Sequence, residues 1–301
     1  MTEAAAAERT REEDAVARLT GKVQVRDGVV AGRHGEIPIR TYNPAGRAFG
    51  NAGRAFGNAG SALVWAHGGA FCHGGLDQLE SHAVAAAVAS RGNDVVAIDY
   101  RLAPEWEGGD AASPDAVRYP IPVDDVVDAY RHVRNELGRP VAIGGASAGA
   151  CLAAAATWSM LRGSGPAPNG LALVYPTVHA ALPPIPEDLR AALLGPWAEG
   201  QFTATRVHLM NRNYAGGDAA LGEAYAFPGG HDLAGFPRTL VLDADHDALR
   251  ASGAAFADEL RAAGTGVRYE VVAGTRHGFM NRPAEQAFGQ GIDHLASWLS
   301  D

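Results

Sequence analysis

The sequence predicts an α/β fold with a mostly parallel β-sheet and helices on both of its faces. From residue 62 onward, short apolar runs alternate with longer helix patterns, which is the strand and helix order of a parallel sheet. The chain has 301 residues, 47% of them hydrophobic, which is enough for one α/β domain with a sizeable core. Ligands of such sheets bind at the carboxyl ends of the strands, so we expect the functional residues to lie in the segments directly after the strands.

Two strands are predicted before residue 62 and six after it, which makes a sheet of eight. A charged, Ala-rich helix at 3–19 precedes a strand pair, Val23–Arg26 and Glu36–Tyr42. The later strands are Ala62–Ala66, Asp94–Ile98, Val141–Ile143, Leu171–Tyr175, Thr239–Leu242 and Arg268–Val272. The helices between and after them are Gln78–Ser90, Pro122–Leu137, Ala148–Leu161, Ala248–Ala263 and Ala284–Leu299.

Two segments interrupt this order within a single domain spanning 1–301. The seven residues Ala45–Asn51 recur as 52–58; the unit is Gly-rich and lacks apolar heptad positions, so we predict a mobile surface loop at 45–60. Residues 180–236 are rich in Pro and Gly and contain two short helix patterns, Glu187–Leu194 and Thr205–Tyr214. Long segments in compact domains are often functional. We therefore predict a small helical cap made of 180–236 with 1–20, with an ordinary surface excursion as the alternative.

Composition excludes several classes of partner. The net charge is -9 and Lys22 is the single lysine, so the chain lacks the basic surface that binds nucleic acid or anionic membranes. No apolar run approaches the ~20 residues of a membrane span, and residues 2–20 lack the apolar core of a secretory signal. We expect a cytoplasmic protein, with a homodimer left open. Cys72 and Cys151 do not form a disulfide framework, and we interpret them as small buried thiols.

Ser147 is the first candidate for chemistry. It lies in a Gly-x-Ser-x-Gly element directly after the strand Val141–Ile143, and every neighbour from Gly144 to Ala150 is Gly or Ala. Small residues permit a tight turn from strand to helix that lifts a serine hydroxyl above the sheet. Gly-, Ala- and Ser-rich helix starts are also common without any catalytic role, so the remainder of the chain has to supply the partners of this serine.

Two later residues have the side chains that a nucleophilic serine requires. A serine hydroxyl needs a base to accept its proton and an acid to orient that base. Asp247 follows the strand Thr239–Leu242 and His277 follows the strand Arg268–Val272, so both fall at the same sheet edge as Ser147. The competing carboxylates are less suitable, because Asp243 belongs to the strand end and Asp245 points the other way in an extended segment.

An oxyanion site is predicted in the loop after the strand Ala62–Ala66. His67-Gly-Gly-Ala follows this strand, and glycines let backbone N–H groups face a developing negative charge. The amides of Gly68 and Gly69, with that of Ala148 next to the nucleophile, form the predicted set of donors. A Gly-Gly pair in a plain turn is the alternative.

We expect neither a metal nor a cofactor. A phosphate-binding P-loop needs a lysine after its second Gly, and the single lysine of this chain, Lys22, does not stand in such a motif. A dinucleotide fingerprint needs Gly where this chain has Ala146. The series Asp243, Asp245 and Asp247 resembles a calcium loop, but Ala248 stands where that loop needs Gly. The residues Cys72, His73, His67 and His82 show no familiar metal-ligand spacing.

These elements together resemble the hormone-sensitive-lipase-like family of α/β-hydrolases, bacterial carboxylesterases in particular. The matching stretches are His67–Gly75, Asp99–Glu105, Gly144–Gly149, Asp247–Arg250 and His277–Met280. The resemblance implies the α/β-hydrolase fold, with Ser147 as nucleophile, His277 as base, Asp247 as orienting acid, and Gly68, Gly69 and Ala148 as the oxyanion hole. It also implies that Asp99–Glu105 supports the site without taking part in the chemistry.

Three positions depart from the pattern of that family. Ala70 stands where the family usually has Gly, Ala146 where it has Asp or Thr, and Ala150 where it has Gly. None of these changes removes a catalytic group, although Ala146 lacks a polar contact. The N-terminal segment is also shorter than the family's usual N-terminal contribution to the cap, which implies a reduced cap and a more open site.

We therefore expect a serine hydrolase that cleaves carboxylic esters through an acyl-enzyme, with a small-molecule ester as its partner and short-chain or small aryl esters as its substrates. Two alternatives stay open at this stage. One is an amide, thioester or lactone hydrolase of a biosynthetic pathway, because the same site could cleave these bonds. The other is a ligand receptor or lyase on the same fold.

Overall fold

Eight strands form one sheet in a computed structural model that describes residues 3–46, 62–105 and 116–301. The strands lie in the order β1-β2-β4-β3-β5-β6-β7-β8. They are β1 Val23–Gly32, β2 Gly35–Pro44, β3 Ala62–Ala66, β4 Asp94–Ile98, β5 Ala142–Ala146, β6 Leu171–Val174, β7 Thr239–Ala244 and β8 Val267–Val272. Most of the loop predicted at 45–60 lies outside the described residues.

The sheet is mostly parallel, as predicted. Strand β1 pairs antiparallel with β2, and β2 pairs antiparallel with β4. The other five pairings, from β4 through β3, β5, β6 and β7 to β8, are parallel. The carboxyl ends of β3, β5, β6, β7 and β8 therefore meet at one edge of the sheet.

Strands β1 and β2 are longer than predicted. The two run in register from the pair Val23 and Pro44 to the pair Gly32 and Gly35, whereas the predicted first strand ended at Arg26. Asp27 and Gly28 interrupt the apolar pattern and are typical of turns. Strand β1 is at the edge of the sheet and most of its side chains face solvent, so its backbone pairing does not depend on apolar residues there.

Helices cover both faces of the sheet. They are α1 Glu3–Thr20, α2 Leu79–Ser90, α3 Ile121–Leu137, α4 Ala148–Ser159, α5 Glu187–Ala192, α6 Ala204–Ala215, α7 Arg250–Ala262 and α8 Gln286–Ser300. Helices α3, α4 and α7 pack in one core cluster, and α2 and α8 pack in the other. Side chains of β3 alternate between them, with Val64 in the first and Trp65 in the second, as a strand buried on both faces requires.

The two helices predicted within 180–236 are present as α5 and α6. The hydroxyl of Thr203 caps α6 by accepting the N–H of Arg206 at 3.2 Å, and Gly216 ends it in the left-handed conformation at φ 79°, as is typical of a helix terminus. Across the residues that the structure describes, no helix combines the length and the apolar character needed to span a membrane.

Candidate active site

Ser147 lies on a sharp turn between β5 and α4. Its backbone has φ 52° and ψ -117°, a combination that is unfavourable for any residue with a side chain. The turn is possible because the residues two positions to either side lack side chains: a Cβ on Gly145 would lie 2.6 Å from the Ala66 carbonyl oxygen, and one on Gly149 would lie 2.2 Å from it. The small residues around Ser147 thus bring the turn into direct backbone contact with the end of β3.

The turn brings the serine to the histidine and aspartate that follow β8 and β7. The Ser147 hydroxyl Oγ lies 3.0 Å from Nε2 of His277, and Nδ1 of His277 lies 2.6 Å from Oδ2 of Asp247. Asp247 is fully buried, and its second oxygen, Oδ1, accepts the N–H of Leu249 at 3.0 Å. Both carboxylate oxygens are thus engaged, which fixes the carboxylate plane against the imidazole.

The surroundings of His277 favour its protonated form. Burial alone would lower the pKa of the imidazole, but the Asp247 carboxylate and, through space, Glu80 outweigh it, and the pKa is raised above the ordinary value of 6.5. Two aromatic rings also flank His277. The centroid of Tyr175 lies 4.7 Å from that of the imidazole, and Phe202 meets it edge-on at 5.0 Å. The imidazole is thus held on three sides.

The competing carboxylates lie elsewhere. Asp243 is buried within β7 and faces Gly253, and burial raises the pKa of its carboxyl well above the ordinary value. Asp245 accepts the N–H of Gly274 at 3.0 Å through Oδ2, so it ties the loop after β7 to the loop that carries His277. Neither carboxylate has a hydrogen bond to His277 among the described residues.

The loop after β3 differs from the prediction at Gly68. The N–H of Gly68 donates to Oε2 of Glu80 at 2.8 Å, so it is already committed and does not fit the predicted role of oxyanion donor. The next two amides, those of Gly69 and Ala70, have no acceptor among the described residues, and neither does that of Ala148. Ala70 takes Gly68's place in the set of available donors.

The loop after β3 is strained, and contacts from another segment of the chain stabilise it. Gly69, Ala70 and Phe71 all have positive φ, at 122°, 53° and 64°, and such conformations cost of order 1–3 kcal/mol for a residue other than Gly. The segment Asp99–Glu105 supplies two of the contacts that offset this cost. Tyr100 donates its hydroxyl to the His67 carbonyl at 2.8 Å, and the Ala103 N–H donates to the Phe71 carbonyl at 2.8 Å. These contacts match the supporting role that the resemblance implies.

The segment 180–236 lies against the loop that carries Asp247. Gln201 donates from Nε2 to the His246 carbonyl at 2.9 Å and accepts the Ala248 N–H at 2.9 Å. The rings of Trp197 and His246 stack at 4.0 Å. Phe202, next to Gln201, is the residue whose ring meets His277. This part of the segment therefore borders the proposed site.

The apolar side chains near the triad are largely packed inside the fold. Phe71, Phe279 and Met280 are buried, and Trp197 and Phe202 are half-buried. Cys72 and Cys151 are buried thiols that form no disulfide, as the sequence predicts. Within the described parts of the chain, no three His, Cys, Asp or Glu side chains come together in a way that could hold a metal ion.

Sequence reasoning missed Glu80 and Ala70. Glu80 is the charged residue of a helix whose residues Ala83–Ala89 are all fully buried, and an acid in such a helix has to be buried with partners. That pattern was the available signal. The sequence contains no such signal for Ala70. Glu80, twelve residues after Gly68, decides which amide of the loop stays free.

Comparison with known proteins agrees with this arrangement. A family model described as the alpha/beta hydrolase fold matches residues 63–281. Carboxylesterase NlhH of Mycobacterium tuberculosis is 31% identical over 273 residues, which cover 86% of this chain and 78% of that protein. The ethyl acetate hydrolase of Pseudomonas putida is 28% identical over 288 residues, covering 89% of this chain and 80% of that protein. The structure of a Pyrobaculum calidifontis esterase superposes with a TM-score of 0.76 at 26% identity, over 99% of this chain and 93% of that one. The chain belongs to the hormone-sensitive-lipase-like family of α/β-hydrolases.

Proposed function

We propose that the chain is a serine hydrolase of carboxylic esters in which Ser147 is the nucleophile, His277 the general base and Asp247 the orienting acid. The single observation that carries the proposal is the continuous hydrogen-bonded path between these three side chains. Its two links are 3.0 Å from Ser147 Oγ to His277 Nε2 and 2.6 Å from His277 Nδ1 to Asp247 Oδ2. Residues 130 and 30 positions apart along the chain thus lie within proton-transfer distance.

The reaction proceeds in two halves. Ser147 Oγ attacks the acyl carbon as its proton passes to Nε2 of His277, and the imidazolium that forms is stabilised by the buried Asp247 carboxylate. The imidazolium then gives the proton to the departing alkoxide, which leaves as an alcohol, and an acyl-serine ester remains. In the second half a water molecule attacks that ester by the same proton route and releases the carboxylic acid.

The proposed oxyanion donors are the N–H groups of Gly69, Ala70 and Ala148, with Ala70 in place of the Gly68 that the sequence predicts. The Gly68 N–H is held by Glu80, whereas the other three amides have no acceptor among the described residues. Backbone donors aimed at the developing negative charge typically contribute ~3 kcal/mol each to the transition state. The N–H of Ala148 is also at the N-terminus of α4, where the helix dipole favours a negative charge.

Short acyl chains or small aryl groups are the proposed substrate class. Phe202 borders His277 and belongs to the segment that Gln201 anchors beside Asp247, so we propose that this part of 180–236 acts as the cap and limits the room beside the triad. One relative is named for the hydrolysis of ethyl acetate, an ester with a two-carbon acyl group. That name supports a small acyl pocket in this chain as well.

The test combines covalent labelling with turnover of p-nitrophenyl esters. The wild-type protein should react with a fluorophosphonate probe and should hydrolyse p-nitrophenyl acetate faster than p-nitrophenyl esters of long-chain acids. Ser147→Ala should abolish labelling and lower kcat by at least ~10³, the scale of nucleophile removal in other triads. Retained labelling and near-normal turnover in Ser147→Ala would refute the assignment. Parallel assays on anilides and thioesters would identify an amidase or thioesterase, and a wild type that is not labelled would indicate a receptor.

A further inference from the structure

Glu80 is a buried acid whose role the mechanism above leaves unassigned. It lies in the first turn of α2 and is 2% exposed. A carboxylate removed from water is destabilising unless hydrogen bonds and nearby charge compensate. Its contacts therefore indicate what it does, and they all lie around the proposed active site.

The carboxylate of Glu80 joins three separate loops. Oε2 accepts the N–H of Gly68 at 2.8 Å, in the loop after β3. Oε1 accepts the Tyr175 hydroxyl, from the end of β6, in a short hydrogen bond. The same oxygen accepts Nδ2 of Asn281 at 3.2 Å, from the turn that follows His277. The Glu80 side chain thus connects the loop after β3, called the oxyanion loop below, to Tyr175, whose ring flanks His277, and to the turn that follows His277.

The backbone of Glu80 strengthens this connection. Its N–H donates to Oδ1 of Asn281 at 3.0 Å, so Glu80 and Asn281 are paired through two hydrogen bonds. Its carbonyl accepts the indole N–H of Trp65 at 2.9 Å, from within β3. The start of α2 is therefore attached both to the sheet and to the turn containing His277.

We propose that Glu80 is a positioning residue for the ester hydrolysis described above, on which this inference rests. By binding Gly68, Tyr175 and Asn281 with one carboxylate, it holds the free amides of Gly69 and Ala70 and the ring of His277 in a common arrangement around Ser147. It touches no reacting atom itself.

The strain in the oxyanion loop explains why such a clamp is needed. Gly69 and Ala70, directly after the bonded amide of Gly68, have φ values of 122° and 53°, and without external contacts the loop would relax toward more favourable angles. A displacement of about 1 Å in a catalytic group can cost ~10² in rate. Release of Gly68 should therefore weaken transition-state binding much more than substrate binding.

The charge of Glu80 makes a second contribution. Burial raises the pKa of its carboxyl, while the hydrogen bonds from Tyr175, Gly68 and Asn281 and the nearby His277 partly oppose this effect. Tyr100 also interacts with it electrostatically. All of the contacts to its two oxygens are donors, as the ionised form requires. A negative charge here supports the imidazolium that forms on His277 during attack.

Glu80→Gln is the most informative variant, because it keeps the shape and removes the charge. One of its two terminal atoms becomes an NH2 group, which must face either the Gly68 N–H or the donors at Tyr175 and Asn281. We expect kcat for p-nitrophenyl acetate to fall ~10- to 100-fold, with KM within about threefold of wild type. The inhibition constant of an aryl trifluoromethyl ketone, which forms an oxyanion on the serine, should rise by a similar factor. Glu136→Gln, at an exposed position of α3, is the matched control and should change neither.

A second variant tests the same contacts in case Glu80→Gln does not fold. Tyr175→Phe keeps the ring beside His277 and removes one donor from Glu80, and kcat should fall ~3- to 10-fold, again without a matching rise in KM. If correctly folded Glu80→Gln, checked by circular dichroism and active-site titration, turns over and binds the ketone like wild type, Glu80 is merely structural and the inference is overturned. A wild type that hydrolyses no ester would overturn the proposed function and this inference together.

Discussion

Asp247→Asn tests the proposed triad through the position of a single proton. In the structure, Oδ1 of Asp247 accepts the Leu249 N–H at 3.0 Å and Oδ2 accepts the His277 Nδ1–H at 2.6 Å. An asparagine that keeps its carbonyl toward Leu249 has to present its NH2 group to Nδ1. Nδ1 must then accept, so the imidazole carries its proton on Nε2 and directs it at Ser147. In that tautomer His277 has no lone pair with which to take the serine proton.

The size of the effect has two limits. If every molecule holds the wrong tautomer, the loss in kcat should approach ~10⁴, the value for the equivalent change in another triad, which corresponds to ~5.5 kcal/mol. A flipped asparagine could restore the correct tautomer, but its NH2 group would then oppose the buried Leu249 N–H. Such an unsatisfied donor costs ~1–3 kcal/mol, so catalysis through the flipped form would reduce the loss in kcat to ~5-fold at the lower cost and to ~10² at the upper cost.

Steady-state hydrolysis of p-nitrophenyl acetate is the assay, with the concentration of folded enzyme checked by circular dichroism. Asp245→Asn is the matched control, because Asp245 lies two residues away and its contact with the Gly274 N–H can be kept by an amide oxygen. We expect the control to stay within about fivefold of wild type, since the hydrogen bond to Gly274 is retained and the contact that is lost, from Arg250 to Oδ1, is long at 3.4 Å. Asp247→Asn with nearly normal kcat, or a larger loss in Asp245→Asn, would refute the reasoning.

Two further predictions concern pH and packing. Since His277 must be neutral to accept the serine proton and its pKa is raised, kcat/KM should fall as the pH drops through a midpoint above 6.5, its ordinary value; a midpoint below 6 in a pH–rate profile would contradict this. Gly149→Ala should destabilise the fold by about 3 kcal/mol in urea unfolding, because the added Cβ would lie 2.2 Å from the Ala66 carbonyl oxygen. Gly289→Ala, in α8 with nothing within 4 Å of the new Cβ, should instead be neutral or stabilising by up to ~1 kcal/mol, and equal effects of the two would count against the packing argument.

The sequence was sufficient to predict the sheet and the residues that line its carboxyl edge. Each parallel strand is a short apolar run bounded by small or polar residues, so the strand ends, and with them Ser147, Asp247 and His277, can be placed along the edge. The glycines around Ser147 also have a local cause, since a Cβ on Gly144, Gly145 or Gly149 would clash with neighbouring backbone. Local steric rules of this kind can be applied to one sequence.

Long-range contacts could not be predicted in the same way. Gly68 and Gly69 are identical as residues, and only the approach of Glu80 decides which amide remains free. The lengths of β1 and β2 likewise depend on pairing between the strands, which overrides the turn-like pair Asp27 and Gly28. Such outcomes depend on partners that sequence spacing does not specify, which also explains why the role of Glu80 emerged only from the fold.

The direct backbone contact between the Ser147 turn and the end of β3 has a consequence for engineering this protein. A Cβ on Gly145 or Gly149 would overlap main-chain oxygen, so the floor of the site has almost no tolerance for substitution. Changes that widen or reshape the substrate preference are therefore expected to accumulate among residues 180–236, where side chains such as Phe202 can be exchanged without moving the peptide planes beneath the nucleophile.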